Sequence, residues 1–195
     1  MIADNSIKPG KVVIFSAPSG SGKTTIYNRV KEMVDNLGFS VSATSRPPRE
    51  GEVNGESYWF ITVEQFMEKI KNDEFIEYEE VYPGKFYGTL KSEVEEKLMN
   101  GINLAFDVDV HGAVKIKKLY GDNALAIFIQ PPSIDELRKR LELRGTDTPE
   151  VIDERIKRAT YELSRAGEFD EIVVNDDLET AVNETYELVV NFLNE

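Results

Sequence analysis

Short, wholly apolar runs alternate along this chain with stretches in which apolar residues recur every three or four positions. Val12-Val13-Ile14-Phe15, Leu104-Ala105-Phe106, Ala124 to Ile129 and Ile172-Val173-Val174 read as buried strands. Between them the period becomes helical. From Lys23, apolar residues at Ile26, Val30, Met33, Val34 and Leu37 predict a helix that Gly38 stops. Ser133 with Glu136 forms a capping box ahead of Leu137 and Leu141. Thr148-Pro149 predicts a helix start before Val151, Ile152, Ile156, Ala159 and Leu163. Asp177 caps a final helix with the stripe Leu178, Ala181, Val182, Leu188, Val189 and Phe192. Strands separated by helices predict an α/β fold with a mainly parallel sheet covered on both faces.

One stretch departs from this rhythm. From Phe39 to Gly88 the chain is rich in β-formers and turns, including Ser40 to Ser45, Tyr58-Trp59-Phe60-Ile61, Phe75 to Val81 and Phe86-Tyr87. It reads as a small antiparallel subdomain inserted into the α/β core.

Composition narrows the picture. The 195 residues suit one domain with small insertions, and 41% apolar with 30% charged residues is a globular balance. No cysteine is present, so disulfides and thiolate metal sites are excluded and a reducing compartment is expected. Met1–Gly10 lacks the apolar core of a signal peptide, and no run is long enough to span a membrane, so the expected location is the cytoplasm. A net charge of −13 argues against nucleic acid as a partner. Yet Arg138, Lys139, Arg140, Arg144, Arg155, Lys157 and Arg158 crowd one segment against five acids, a local balance of +2. That suits a small anionic ligand, or simply a solvated helix face.

The chemistry begins directly after the first strand, at Ser16-Ala17-Pro18-Ser19-Gly20-Ser21-Gly22-Lys23-Thr24-Thr25, which opens a helix. Strand, glycine-rich loop and helix in this order form a P-loop. Glycines let backbone N–H groups turn toward phosphate oxygens, and the helix N-terminus adds positive potential. Lys23 reaches the β- and γ-phosphates, and the Thr24 hydroxyl is placed for Mg²⁺. Ala17 stands where the motif has its first glycine.

A P-loop names the donor and leaves the reaction open. Ser42-Ala43-Thr44-Ser45-Arg46-Pro47-Pro48-Arg49, Gly51-Glu52-Val53-Asn54-Gly55 and Tyr58 resemble the GMP-binding segment of guanylate kinases. The resemblance continues through Glu77, Tyr87-Gly88-Thr89, Asp107-Val108-Asp109, Pro131-Pro132-Ser133, Arg144-Gly145-Thr146-Asp147, Arg155 and Val174-Asn175-Asp176, spanning roughly residues 11 to 192. It implies a three-layer P-loop NTPase fold, with residues 1–38 and 90–195 as core, 39–89 as the GMP-binding subdomain and about 133–166 as a helical lid. It also implies phosphoryl transfer from ATP to GMP or dGMP with Mg²⁺, and leaves the oligomeric state open. The family pattern has one residue fewer near Pro83-Gly84-Lys85, so the turn before Tyr87 is expected to differ in shape.

The implied roles make chemical sense. Arg46 and Arg49 grip the GMP phosphate with Tyr58 and Tyr87, because guanidinium forks match phosphate oxygens. Glu77 reads the base: guanine offers N1–H and an amino group to a carboxylate, whereas adenine offers a lone pair at N1. Ser42, Thr89 and Asp109 complete that pocket. Ala17 to Thr25 bind ATP with Asn175 beside the adenine, and Asp107 assists Thr24 at the metal through water. Lys23, Arg46, Arg144 and Arg155 stabilise the transferred group. Closure over both substrates is implied, to keep water from the phosphoryl group.

Read singly, these residues have plainer explanations. Glu77 sits in the acidic run with Glu79 and Glu80, Tyr58 adjoins Trp59 and Phe60 as core residues do, and Asp107 and Asp109 are strand-end acids. His111, the one histidine, reads as structural because a GMP phosphate needs no general base. Rival functions are a non-enzymatic binding module of guanylate-kinase type, a kinase of another small phosphate such as ribose bisphosphate, and a different nucleoside monophosphate kinase.

Overall fold

The computed structural model describes residues 8–145 and 147–195. The leader reading of Met1–Gly10 therefore falls mostly outside the described residues, as does Thr146 of the Arg144–Asp147 motif. The elements are β1 (Val12–Ser16), α1 (Lys23–Met33), β2 (Leu37–Phe39), β3 (Ala43–Thr44), β4 (Trp59–Phe60), α2 (Val63–Lys71), β5 (Phe75–Tyr82), β6 (Lys85–Leu90) and α3 (Lys91–Met99). They continue with β7 (Asn103–Asp107), α4 (Val110–Tyr120), β8 (Ala124–Gln130), α5 (Ile134–Arg144), α6 (Pro149–Ser164), β9 (Glu171–Val174) and α7 (Leu178–Asn194). They fall into two compact units: a smaller one of 8–11 with Gly38–Ala105, and a larger one of Val12–Leu37 with Phe106–Glu195.

In the larger unit β1 pairs in parallel with β8, Val12 opposite Ala124 through Ser16 opposite Phe128. β9 extends the sheet in parallel, Ile127 opposite Glu171 through Gln130 opposite Val174. The end of β7 runs beside β1, where the Val108 amide donates to the Phe15 carbonyl at 3.2 Å. Every residue of β1 is buried, as expected for a strand covered on both faces. Ser133 Oγ accepts from the Glu136 amide and Asp177 Oδ1 from the Thr180 amide, as expected, but the Glu136 carboxylate turns to Arg140 and the predicted capping box at Ser133 is only half formed. Pro149 stands at the start of α6, although Thr148 makes no side-chain cap bond. The first helix is shorter than its pattern predicts. Val34 is already extended and Asn36 adopts a left-handed φ of 58°, which ends α1 at Met33 and turns Leu37 and Gly38 into β2.

The smaller unit carries a four-stranded sheet in the order β4-β3-β6-β5. It is not purely antiparallel as expected. β3 pairs antiparallel with β6 but parallel with β4, because the long connection from Thr44 to Trp59 returns the chain in the same direction. Two helices also lie in this unit, of which α2 falls inside the stretch read as β-rich. The Thr62 hydroxyl and the Gln65 side chain form the reciprocal capping box that starts α2. Phe66 of α2 then stacks on Phe75 at 4.3 Å and Phe86 at 5.4 Å between ring centroids. β6 needs Gly88, because a Cβ there would lie 2.9 Å from the Glu77 carbonyl and from Tyr78 Cβ.

Candidate active site

Two parallel strands of the larger unit, β1 and β9, and the last residues of β7 lead into candidate residues. β1 feeds the loop after Ser16, β7 ends on Asp107, and β9 leads into Asn175. Ligands of open α/β sheets bind beyond such carboxyl ends. In the loop Gly20 and Gly22 take φ of 95° and 91°. Ser21 N donates to the Pro18 carbonyl, and Gly22 O receives the first amide bond of α1 from Ile26. Lys23 and Thr24 are therefore the first two helical residues, at the positive end of the helix. Ala17 adopts no such φ: outside glycine, only Asn36 and Asp73 do so among the described residues. Its methyl group thus brings no backbone strain to the loop.

Lys23 Nζ forms an ion pair with Asp107 Oδ1. Tyr27 lies in the same field, where burial and the Asp107 charge push its hydroxyl up to about 12. Thr24 is exposed. Its hydroxyl and the Asp107 carboxylate are hard oxygen donors, the set Mg²⁺ accepts alongside water and phosphate. The residues present therefore fit that ion. Asn175, only 5% exposed, donates from Nδ2 to the Ser21 carbonyl at 2.7 Å. Arg155 donates to Ser19 Oγ at 2.7 Å and to Asp147 Oδ1 at 3.1 Å. Arg144 ends α5 exposed, with no ion pair among the described residues.

Asp109 also belongs to the larger unit. It caps α4 by accepting from the Gly112 amide at 2.8 Å, and Arg158 approaches it at 3.8 Å. Arg158 also donates to Glu162 at 2.9 Å, and burial raises the Glu162 carboxyl above its ordinary range. His111 contacts Tyr161 through Nε2 at 3.3 Å, and Arg165 donates to the same hydroxyl at 2.9 Å.

The smaller unit gathers a second anion-handling cluster. Arg46 is 7% exposed, and its guanidinium lies over the Tyr58 ring at 5.0 Å. Its Nε donates to Tyr87 Oη at 3.2 Å, and Nη1 and Nη2 each donate to a Glu52 oxygen at 2.6 Å. Those bonds hold the Glu52 carboxyl down at about 2 and the Arg46 guanidinium above its ordinary value. Tyr58 and Tyr87 meet edge to face at 5.8 Å, and burial raises the Tyr58 hydroxyl. Arg49 is exposed, with its amide bonded to Glu52. On the neighbouring strand pair Glu77 stands opposite Thr89 and accepts the Thr89 hydroxyl at 2.6 Å. Ser42 precedes β3, its carbonyl taking the Trp59 amide.

The comparisons with known proteins bear on this arrangement. Residues 9–191 match the family described as guanylate kinase. A guanylate kinase of Bacteroides fragilis is 58% identical over 183 residues, 94% of this chain and 90% of that protein. One from Porphyromonas gingivalis is 53% identical over 94% of this chain and 98% of its own. The chain belongs to the guanylate kinase family. A crystal structure of guanylate kinase from Anaplasma phagocytophilum superposes with a TM-score of 0.74 at 30% identity, covering 96% of this chain and 88% of that one. The fold is thus the α/β fold of P-loop NTPases, and the protein is a nucleoside monophosphate kinase.

Within this family member the plainer readings fare unevenly. Glu77 is half-buried and hydrogen-bonded, whereas Glu79 and Glu80 are exposed. Tyr58 is half-buried beneath a guanidinium instead of filling the core. Ser42, Arg46, Arg49, Tyr58, Glu77, Tyr87 and Thr89 share the smaller unit. Asp109 lies in the larger unit as a helix cap. The Asn175 amide is engaged with the loop backbone, a contact that sequence reading did not supply. Glu52 also went unrecognised as a partner of Arg46. The signal available was an acid three residues after Arg49 and following Gly51, the spacing of a tight turn.

Proposed function

We propose that the chain catalyses ATP + GMP to ADP + GDP, with Ala17–Thr25 holding the donor and the Arg46 cluster the acceptor. One observation carries the acceptor reading. Tyr87 and Thr89 lie two apart on β6, so their side chains share one face about 7 Å apart. Tyr87 receives Arg46, and Thr89 bonds to Glu77. A phosphate-binding guanidinium and a base-reading carboxylate are thereby served from one strand face, as a nucleoside monophosphate requires.

An acceptor phosphate oxygen attacks the γ-phosphorus of ATP, the bond from that phosphorus to the β–γ bridging oxygen breaks, and ADP leaves. The acceptor is already anionic, so no side chain need remove a proton. Catalysis then consists of orientation and charge neutralisation. Lys23 and the loop amides hold the β/γ end. Arg155, positioned by Asp147 beside Ser19, and Arg144 neutralise the transferred group from a lid around residues 133–166. Asn175 fixes the loop and borders the adenine, and Ser42 serves the base pocket beside Glu77 and Thr89. Thr24, and Asp107 through water, would hold Mg²⁺, which when bound offsets charge on the β- and γ-oxygens. Among the described residues no helix is long and apolar enough to cross a membrane. The cysteine-free composition and the net charge of −13 support a cytoplasmic location and the small-molecule partners ATP and GMP or dGMP, and leave the oligomeric state open.

The test is ADP release from ATP and Mg²⁺ with GMP, dGMP, AMP, CMP, UMP, dTMP or ribose 1,5-bisphosphate offered separately. Turnover confined to GMP and dGMP is expected. Strong turnover of another acceptor would refute the base reading, and binding of GMP without turnover would refute the enzyme reading.

A further inference from the structure

The loop that carries both acceptor arginines is folded around one carboxylate. In Arg46-Pro47-Pro48-Arg49-Glu50-Gly51-Glu52 the prolines restrict the backbone, and Gly51 takes a left-handed φ of 84°. Glu52 N then closes a turn onto the Arg49 carbonyl at 3.1 Å. This turn brings the Glu52 carboxylate back onto the Arg49 amide at 2.7 Å and both arms of Arg46 at 2.6 Å. Arg46 is held from its other sides as well. Nη1 donates to the Pro47 carbonyl at 3.0 Å, Nε to Tyr87, and the guanidinium plane lies over Tyr58 and, at 5.6 Å, Phe60. A guanidinium has five N–H donors. These four bonds leave one, on Nη2, unassigned among the described residues.

We infer that Glu52 is a positioning residue for acceptor binding: it fixes the Arg46 fork and the Arg49 backbone so that both arginines meet the acceptor phosphate in one prearranged geometry. The inference rests on the reading of Arg46 and Arg49 as the phosphate arms. The opposite role is equally concrete, since a carboxylate on a guanidinium fork also resembles a phosphate holding that place until substrate displaces it. The Arg49 amide decides between them. Displacing the carboxylate would strip the bond from that amide and open the turn, whereas an arriving phosphate can use the remaining Nη2 donor and the exposed Arg49 side chain. The strong depression of the Glu52 carboxyl agrees with a charge that stays in place. Misplacing a binding group by an ångström can cost a factor on the order of 10².

The experiment measures equilibrium binding of GMP, guanosine and ATP to the wild-type chain, Glu52→Gln and Glu52→Asp by calorimetry, with thermal melts alongside. Guanosine carries the base and lacks the phosphate, so it reports the rest of the acceptor site. A positioning role predicts that Glu52→Gln weakens GMP by about tenfold or more while guanosine and ATP are unchanged. Glu52→Asp, which keeps the charge on a shorter arm, should fall between. Unchanged or tighter GMP binding in Glu52→Gln would overturn the inference in favour of a displaced stand-in. Equal losses for GMP and guanosine would overturn it in favour of a general structural role. Absence of GMP binding in the wild-type chain would instead refute the acceptor reading, a result distinct from either.

Discussion

The Asn175 side chain bonds the Ser21 carbonyl and occupies the space where a Cβ on Gly22 would stand, 2.2 Å from Nδ2. One buried amide thus sets the shape of the loop and forbids a side chain at its last glycine. Asn175→Ala leaves the Ser21 carbonyl without that donor, a loss of about 1–3 kcal/mol for a buried group. The ATP dissociation constant should rise about tenfold while GMP binding is unchanged. Gly22→Ala should be worse than Gly20→Ala. Both glycines have positive φ, but at Gly20 the nearest atoms are leucine methyl groups, which can give way. Calorimetry with each nucleotide separately checks the order. Equal loss of both nucleotides in Asn175→Ala would contradict the local role.

The acidic stability of the protein should depend on Glu52. Its folded-state carboxyl lies at about 2, below the ordinary 4.5, held there first by Arg46 and then by the Arg49 amide. A depressed carboxyl contributes stability above its unfolded value, and that contribution is lost as pH falls from about 5 toward 2. Urea midpoints between pH 7 and pH 3 should therefore fall less steeply for Glu52→Gln than for the wild type. Identical slopes would show that the ion pair does not govern acid unfolding.

Glu77 gives a sharper functional test. A carboxylate accepting two guanine donors is worth about 1–3 kcal/mol in discrimination against the wrong base. Glu77→Gln keeps the volume and can still accept from the Thr89 hydroxyl, but it loses charge and one acceptor. GMP kcat/KM should fall at least about tenfold with ATP affinity nearly unchanged. A matching decline for ATP would remove Glu77 from the base pocket.

Local signals were legible in the chain, and signals that depend on pairing were not. The loop from Ser16 to Thr25 announces itself because strand, glycines and helix are contiguous, and the caps at Ser133 and Asp177 are equally local. The end of α1 was misread because apolar spacing continues to Leu37, while the chain turns at Asn36 through a φ that its apolar spacing does not encode. α2 was hidden by the aromatic residues around it, although Thr62 and Gln65 carry its capping box. Glu77 and Thr89 are twelve positions apart and meet only through the β5–β6 register, which includes irregular steps between Phe75 and Glu77 and between Glu80 and Tyr82. The Arg46–Glu52 pair needed the Gly51 turn before its chemistry could be seen.

The two lid arginines should separate kinetically. Arg155 is already committed to Asp147 and Ser19, whereas Arg144 extends from the end of α5 without an ion pair among the described residues. Arginines that neutralise a transferred phosphoryl group are worth about 10³–10⁵ in rate. Arg144→Ala should lower kcat by about 10³ and leave both the melting temperature and ATP binding to the free protein unchanged, since it removes no ion pair among the described residues. Arg155→Ala should lower kcat similarly but also weaken ATP binding, because Ser19 loses its partner and Asp147, half-buried, loses its counter-charge. Asp147→Asn should reproduce the binding defect of Arg155→Ala with a smaller loss of kcat, because the guanidinium remains present but poorly held. Single-turnover kinetics beside ATP binding separate these outcomes. An Arg144→Ala variant with undiminished kcat would remove that residue from phosphoryl transfer and leave the lid role to Arg155.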